Sequence, residues 1–571
     1  MRSATGIGWL AVLAIVGNAQ AQTTERVSVS TSGVPADGIC YSGGISENGR
    51  FALFYGWATT LVPGDTNGAQ DVFVRDRDTK VTTRVSVSSG GVQGNGHSRL
   101  AEMTPDGRFV VFNSDATNLV PGDTNGKWDI FLRDRYFGVT TRISIDSSGL
   151  QSNGDSYKPA ISADGNCTAF QSDATNLVAG DTNGVPDVFV YDRTAGTCER
   201  ISLATGGVQA NGGGAHSPSL SADGRFVAFD SDMNTLVPLD TNGFSDVFLF
   251  DRQLQTCERL SVSTAGDQGN GSSYSPVITP DGRYVAFQST ASNLVADDPG
   301  TKTDIFLRDR WLGVTTLVSR STTGAVGNGA SQAPSLADDA RYVAFESYAS
   351  DFVAGDANAH QKDGFVRDRS TSWIELSSVS TGGLQSAAAA GLESYISAGG
   401  RFVEFAAADG QLVEGDDNGV QDVFVRDRGA GIVTIYCTAQ TNSSGCVPAM
   451  SAAGTPSTSS PAPFSLHASQ VLNQKNGMLF YGYVAGAKPF AGGTRCVLAP
   501  LRRTPIQNSR GNPAPADCSG SFTYDMNARI QAGVDPALAA GAEVYAQYWS
   551  RDPAGIGGTN LTDAVSFHVE P

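Results

Sequence analysis

The chain has 571 residues, 67 of them glycine and eight cysteine, with a formal net charge of −18. So acidic a surface repels phosphate backbones and anionic lipid, which argues against nucleic-acid binding and membrane adsorption. The glycine excess over the usual ~7% fits an all-β protein whose many tight turns need positive φ.

Residues 1–21 read as a secretory signal peptide: Arg2, an apolar run over 7–16, then Ala19-Gln20-Ala21 with small residues at −3 and −1 of the cut. The apolar run is too short to span a bilayer as a helix. The mature chain is therefore expected to be exported, with a periplasmic, cell-surface or extracellular address and no transmembrane segment.

From residue 26 to about 436 one motif recurs seven times. It reads D-G-R-[FY]-V-A-F, then a polar loop ending D-T-N-G-x-x-D, then V-F-[VL]-x-D-R. The closing arginines are Arg77, Arg135, Arg193, Arg252, Arg310, Arg369 and Arg428, spaced 58 or 59 residues apart. A fixed period of this length means one supersecondary unit per repeat, buried against its neighbours. In the copy at 216–264, strands are predicted at 216–221, 226–229, 246–250 and 257–261, separated by turn signals. Unbroken apolar runs in the second and third strands imply sheets covered on both faces, hence stacked blades. Residues 25–30 match 83–88, the end of a repeat, so the N-terminal segment is predicted to close the ring. On this reading 27–30 pairs with the last third strand at 422–426 and leaves no open edge. The rival for that place is 432–436.

The repeated S-x-D-G-R-x-V-A-F…D-V-F-V-x-D-R resembles the WD40-like propeller repeats of the TolB-type family. The resemblance implies a propeller in the cell envelope or outside it that acts as a protein-binding platform, and it brings no catalytic residue set. The expected architecture is a seven-bladed β-propeller over 22–436. A small C-terminal β-sandwich over 437–571 follows, with strand-like runs at 477–483, 521–524, 544–549 and 564–569.

Of the eight cysteines, Cys437 is expected to pair with Cys446 and Cys496 with Cys518, as suits an oxidising compartment. Cys40, Cys167, Cys198 and Cys257 allow three pairings, and the sequence does not choose among them.

The D-T-N-G-x-x-D loop offers oxygen ligands at positions 1, 3 and 7, as at Asp65, Asn67 and Asp71, which would suit a hard cation such as Ca²⁺. It lacks the remaining ligands of an EF-hand loop, and an Asx turn with Asn-Gly at positive φ explains it as well. The fifth copy (298–304) lacks the Asn and the sixth (356–363) carries an extra residue. The D-G-R and x-D-R turns, such as Arg225 and Asp251, should pair as surface ions. His97 and His216 read as loop residues. No G-x-S-x-G occurs, and no carboxylate pair stands out.

The functional expectation is an exported, non-catalytic platform for a protein or glycan, with no cofactor. The alternative is an envelope hydrolase or lyase using dispersed loop residues. Binding is expected on the face carrying the D-T-N-G loops and the Gly-rich connections, the longest loops. Copies five and six break the pattern and add cationic groups there, so Lys302, His360 and Lys362 are the candidate binding residues.

Overall fold

The computed structural model describes residues 22–298, 300, 302–353, 356, 358, 361–370, 372–428, 434–436, 439–453, 456–458, 463–490, 493–539 and 542–569. The signal-peptide segment lies outside these. The chain divides into two compact units, 22–428 and a C-terminal unit starting at Gly429.

The first unit consists of seven four-stranded antiparallel sheets. Blade 1 runs Cys40–Ile45, Phe51–Gly56, Asp71–Asp76 and Val81–Arg84, from inner to outer strand. The other inner strands are Ser98–Met103, Ser156–Ile161, Gly212–Leu220, Ser273–Ile278, Ser331–Leu336 and Ala390–Ile396. Each packs against the sheet before it, and Cys40–Ile45 packs against Ala390–Ile396, so the series closes on itself.

The two phenylalanines of the repeat explain its persistence. The Phe of V-A-F and the Phe of V-F-[VL] stand opposite each other across the central strand pair, as Phe54 and Phe73 do. In all seven blades these rings are fully buried and stacked, with centroids 5.7–6.1 Å apart. Such a pair adds about 1 kcal/mol beyond the area it buries.

The N-terminal segment closes the last blade, four residues earlier than expected. Thr23–Arg26, not 27–30, pairs with Asp422–Asp427, with Arg26 opposite Phe424. The outer strand of each blade ends at the position of Arg84, before the Val-Ser-Val-Ser stretch. That stretch forms the link to the next blade instead, with short bridges such as Val87 to Gln93. The rival segment is engaged elsewhere: Thr434–Tyr436 pairs with Thr559–His568 in the C-terminal unit. The boundary expected at 436/437 therefore moves to 428/429.

The C-terminal unit packs a six-stranded sheet on a three-stranded one. Leu466 and Phe522 from the smaller sheet meet Tyr481, Tyr548, Val565 and Phe567 from the larger. Its helix, Met526–Gln531, is capped by the Asp525 carboxylate. Both expected disulfide pairings fail on one bond: Cys446 joins Cys518, closing 72 residues rather than a local loop. Cys496 is also disulfide-bonded, and Cys437 lies outside the described residues. Cys40, Cys167, Cys198 and Cys257 are unpaired, buried thiols, and burial pushes the Cys198 thiol up to about 12. No helix among the described residues is long and apolar enough to cross a membrane.

Candidate functional site: loops and axial channel

In the D-T-N-G-x-x-D loop, the Asn67 side-chain oxygen accepts from the Ala69 N–H at 3.0 Å. Its amide donates to Asp71 and to the Gly94 carbonyl, both at 3.0 Å. Asn125, Asn242 and Asn418 repeat this Asx turn. Between the two Asp side chains, where a hard cation would be coordinated, stands an arginine from the end of the outer strand. Arg142 lies 3.0 Å from Asp123 and 3.3 Å from Asp129. Arg26, Arg84, Arg200 and Arg259 do the same in blades 7, 1, 3 and 4. Burial raises the loop carboxyls and the guanidinium pulls them back. In blades 5 and 6, whose loops depart from the motif, the arginine is replaced by Leu317 and Leu376. Burial lifts Asp304 and Asp363 there to about 6.

On the opposite face, six arginines at the D-G-R position pair with the Asp of x-D-R at 2.7–2.9 Å, as Arg225 does with Asp251. The closing arginines reach across to the preceding blade. Arg77 stacks over Phe402, Arg135 over Phe51, Arg193 over Phe109, Arg310 over Phe226, Arg369 over Tyr284 and Arg428 over Tyr342. Where that ring is replaced by Cys167, Arg252 contacts its sulfur at 3.3 Å. These arginines join blade to blade.

The inner strands carry a second repeated device. Leu100, Lys158, Ser217, Ser275, Ala333 and Glu393 all have φ between 47° and 52°, each at the equivalent position of a β-bulge. A left-handed non-glycine residue costs on the order of 1 kcal/mol, so six in a ring need compensation. In three of the six it comes from the neighbouring blade. The N–H of Ser275 donates to Asp230, that of Ala333 to Gln288, and that of Glu393 to Glu346. The bulge residues of blades 3 to 7 together line one cavity of about 260 Å³, the axial channel, with Tyr395 in its wall.

The inner strands depart from uniformity in blades 7, 1 and 2. One residue before the last of the inner strand, blades 3 to 6 carry Ala160, Ser219, Val277 and Ser335, whereas blade 2 carries Glu102, blade 7 Tyr395 and blade 1 Gly44. Opposite Tyr395 stands Glu404, where the other blades have Leu, Val or Ala. Glu404 is fully buried. Its Oε1 accepts from the Gly43 and Gly44 N–H groups at 3.1 and 3.0 Å, while Oε2 has no partner among the described residues. Burial drives its carboxyl well above the usual range and lifts Glu102 and Glu393 to about 7. The Tyr55 hydroxyl donates to Glu393 at 3.4 Å. At the D-T-N-G end, Trp57 meets His97 edge-on at 5.0 Å, and His97 stacks on Trp128 at 6.5 Å. Arg99 covers Trp128 at 4.4 Å.

Of the three residues singled out by sequence, two lie among the described residues. Lys302 is exposed. Lys362 is bound to Glu346 at 2.8 Å and faces Tyr348, which draws it to the channel wall. His360 lies outside the described residues. His97, read as a loop residue, is half-buried, and its Nδ1 accepts from the Gln70 N–H at 3.1 Å. Sequence reasoning missed the outer-strand arginines and the channel carboxyls. The first had a visible signal: Arg gives way to Leu in the two copies whose loop departs. For the second, Glu404 in place of a small apolar residue was the trace.

No family model matches the chain, and no curated protein matches it. Solved structures similar to it include a putative TolB from Agrobacterium tumefaciens, at 14% identity, 62% coverage of this chain and 97% of that one, with a TM-score of 0.33. TolB from Acinetobacter baumannii matches at 15% identity, 67% and 81% coverage, and a TM-score of 0.32. A structure from a study of two prolyl endopeptidases matches at 9% identity, 76% and 54% coverage, and a TM-score of 0.38. By its seven four-stranded sheets, closed into a ring by the repeat that builds them, the chain forms a β-propeller.

Proposed function

We infer that the protein is an exported, non-catalytic binding platform whose propeller takes a protein partner at the end of the channel next to the D-T-N-G loops. One observation carries this reading: Trp57, His97 and Trp128 cluster at that end of the ring, with Trp57 left 44% exposed. The long loops stand on the same side, and long loops on a rigid scaffold are where recognition concentrates. A protein partner suits the site better than a glycan. Sugar stacking needs a free aromatic face, and His97 and Arg99 both pack on the Trp128 ring. Export is supported by the signal sequence and the Cys446–Cys518 bond.

The test is capture from envelope and culture supernatant with the mature chain, beside Trp57→Ala and Lys302→Ala. Trp57 is 44% exposed. Both variants should melt as the parent does, since surface changes cost under about 0.5 kcal/mol, and Trp57→Ala should lose the partner. Capture that survives there but fails on altering the opposite turns at 106–108 would place the partner on the other face. The hydrolase or lyase alternative draws support from carboxyls held near neutrality. Turnover in a glycosidase and peptidase panel, abolished by Glu393→Gln, would replace the binding reading.

A further inference from the structure

The six-stranded sheet of the C-terminal unit is apolar on both faces. Side chains alternate along a strand, so Leu479 and Tyr481 join the core shared with the smaller sheet while Met478 and Phe480 lie on the other side. Trp549 stands opposite Met478, and Leu561 opposite Trp549, on that same second face. A hairpin, Ala485–Phe490 with Gly493–Val497, brings Val497 onto Phe480 and Leu561 but covers the face only in part. A cavity of about 330 Å³ remains, lined by Met478, Phe480, Phe490, Leu501, Trp549 and Leu561. Phe490 is left 41% exposed at it. The polar residues of its wall are Arg495, Arg503 and Thr559. Arg495 Nε and Thr559 Oγ1 are shielded from solvent, and neither has a hydrogen-bond partner among the described residues. The cations here also lack an acid. Arg495 stands directly across the hairpin from Lys488, a like-charge pairing that destabilises. Arg503 stands opposite Phe480 and Arg551 opposite Thr559, so both share the face. None of these four has a salt bridge among the described residues, whereas the neighbouring Arg502 pairs with Asp535 at 3.1 Å. In a chain of net charge −18, a cationic rim left without acids around an apolar cavity marks a missing anion.

We propose that this cavity binds a small organic acid, a monocarboxylate with an apolar body, its carboxylate held by Arg495 and Thr559 and its body seated on Phe480, Trp549 and Leu561. A guanidinium meets a carboxylate through two parallel N–H bonds, which would give Arg495 Nε the acceptor it lacks, and the Thr559 hydroxyl adds a third donor. An apolar lining with a few converging polar groups is the usual build of a small-molecule site. The volume is at the low end of the roughly 300–1,000 Å³ that such sites span, which suits a compact acid rather than a long chain. The site belongs to the C-terminal unit alone and is independent of the platform reading of the propeller.

The mature chain is titrated calorimetrically with phenylpropionate, octanoate, neutral phenylpropanol, acetate and a short peptide ending in a free phenylalanine carboxylate. Both apolar acids should bind, phenylpropanol at least tenfold more weakly and acetate not at all. The tighter of the two acids tells whether an aromatic or an aliphatic body fits. This comparison is made on the parent chain and stands even where a variant fails to fold. Arg495→Gln should weaken both acids at least tenfold and leave phenylpropanol as it is. Arg495→Lys, which keeps the charge and loses the fork, should fall between. Neither change should lower the melting temperature, because Arg495 faces a like charge in Lys488. Lys302→Ala, in the propeller, should alter nothing. The proposal is overturned if neither acid binds at millimolar concentration, if phenylpropanol binds as tightly as the acids, or if Arg495→Gln binds them like the parent. Tighter binding of the peptide than of either acid would also overturn it, and would make the occupant the C-terminus of a protein.

Discussion

At the scale of single residues, the loop arginines and their aspartates decide how the protein answers to pH and to substitution. Arg142 is nearly buried between Asp123 and Asp129. Arg142→Ala would leave two buried carboxylates without a counter-charge, and breaking such a pair costs about 3–5 kcal/mol. Urea denaturation should show a loss of that size, against a surface change such as Lys302→Ala. Blades 5 and 6 lack the arginine, and burial holds Asp304 and Asp363 at about 6. A carboxyl raised above its unfolded value of roughly 4 binds its proton more tightly when folded. The stability it contributes is complete below about pH 4 and is lost as the pH rises through 6. The melting temperature should therefore fall between about pH 4 and 7 and level off above that as far as these two groups decide it. Replacing both with Asn should flatten that slope by about 1–3 kcal/mol per group, reading one pKa unit as ~1.4 kcal/mol.

At the scale of elements, the closing strand carries the largest single responsibility. Thr23–Arg26 supplies the outer strand of blade 7 and covers the edge of Asp422–Asp427. It also repeats the interblade contacts of the other outer strands: the Thr24 hydroxyl donates to the Val379 carbonyl at 2.5 Å, as that of Thr140 does to Val87. Its Arg26 sits between Asp416 and Asp422. A chain starting at Val27 loses the strand and strands two aspartates. It should unfold several kcal/mol more easily, with blade 7 exchanging its amide hydrogens first. Hydrogen exchange read by mass spectrometry would show protection lost over 402–427 while blades 2 to 4 keep theirs. Uniform loss around the ring would mean that closure is held elsewhere.

At the scale of the whole molecule, two units with separate cores should melt separately. The Cys446–Cys518 bond spans 72 residues of the C-terminal unit, and a loop that long is worth about 4 kcal/mol in the chain-entropy description. Reducing agent should lower the transition of that unit and leave the propeller transition in place, since the four propeller cysteines carry no disulfide. Calorimetry with and without dithiothreitol checks this. A propeller transition that falls equally would tie the two units into one cooperative system.

The sequence by itself determined the ring. A period of 58 or 59 residues, two facing phenylalanines per copy and turn residues between them leave few other ways to bury the apolar runs. The same periodicity placed the closing segment at the N-terminus but put its strand at 27–30, because the Val-Ser-Val-Ser match covers a link and not the paired residues. Tertiary structure alone decided where charge meets charge. Arg84 and Asp65 are 19 residues apart in sequence, Arg77 and Phe402 join opposite ends of the repeat array, and Glu404 meets Gly43 only because the last blade abuts the first. The last two contacts follow from ring closure, which no local pattern of residues encodes. For the same reason the departures of blades 7, 1 and 2 in the channel wall were visible in the sequence only as scattered exceptions to the repeat.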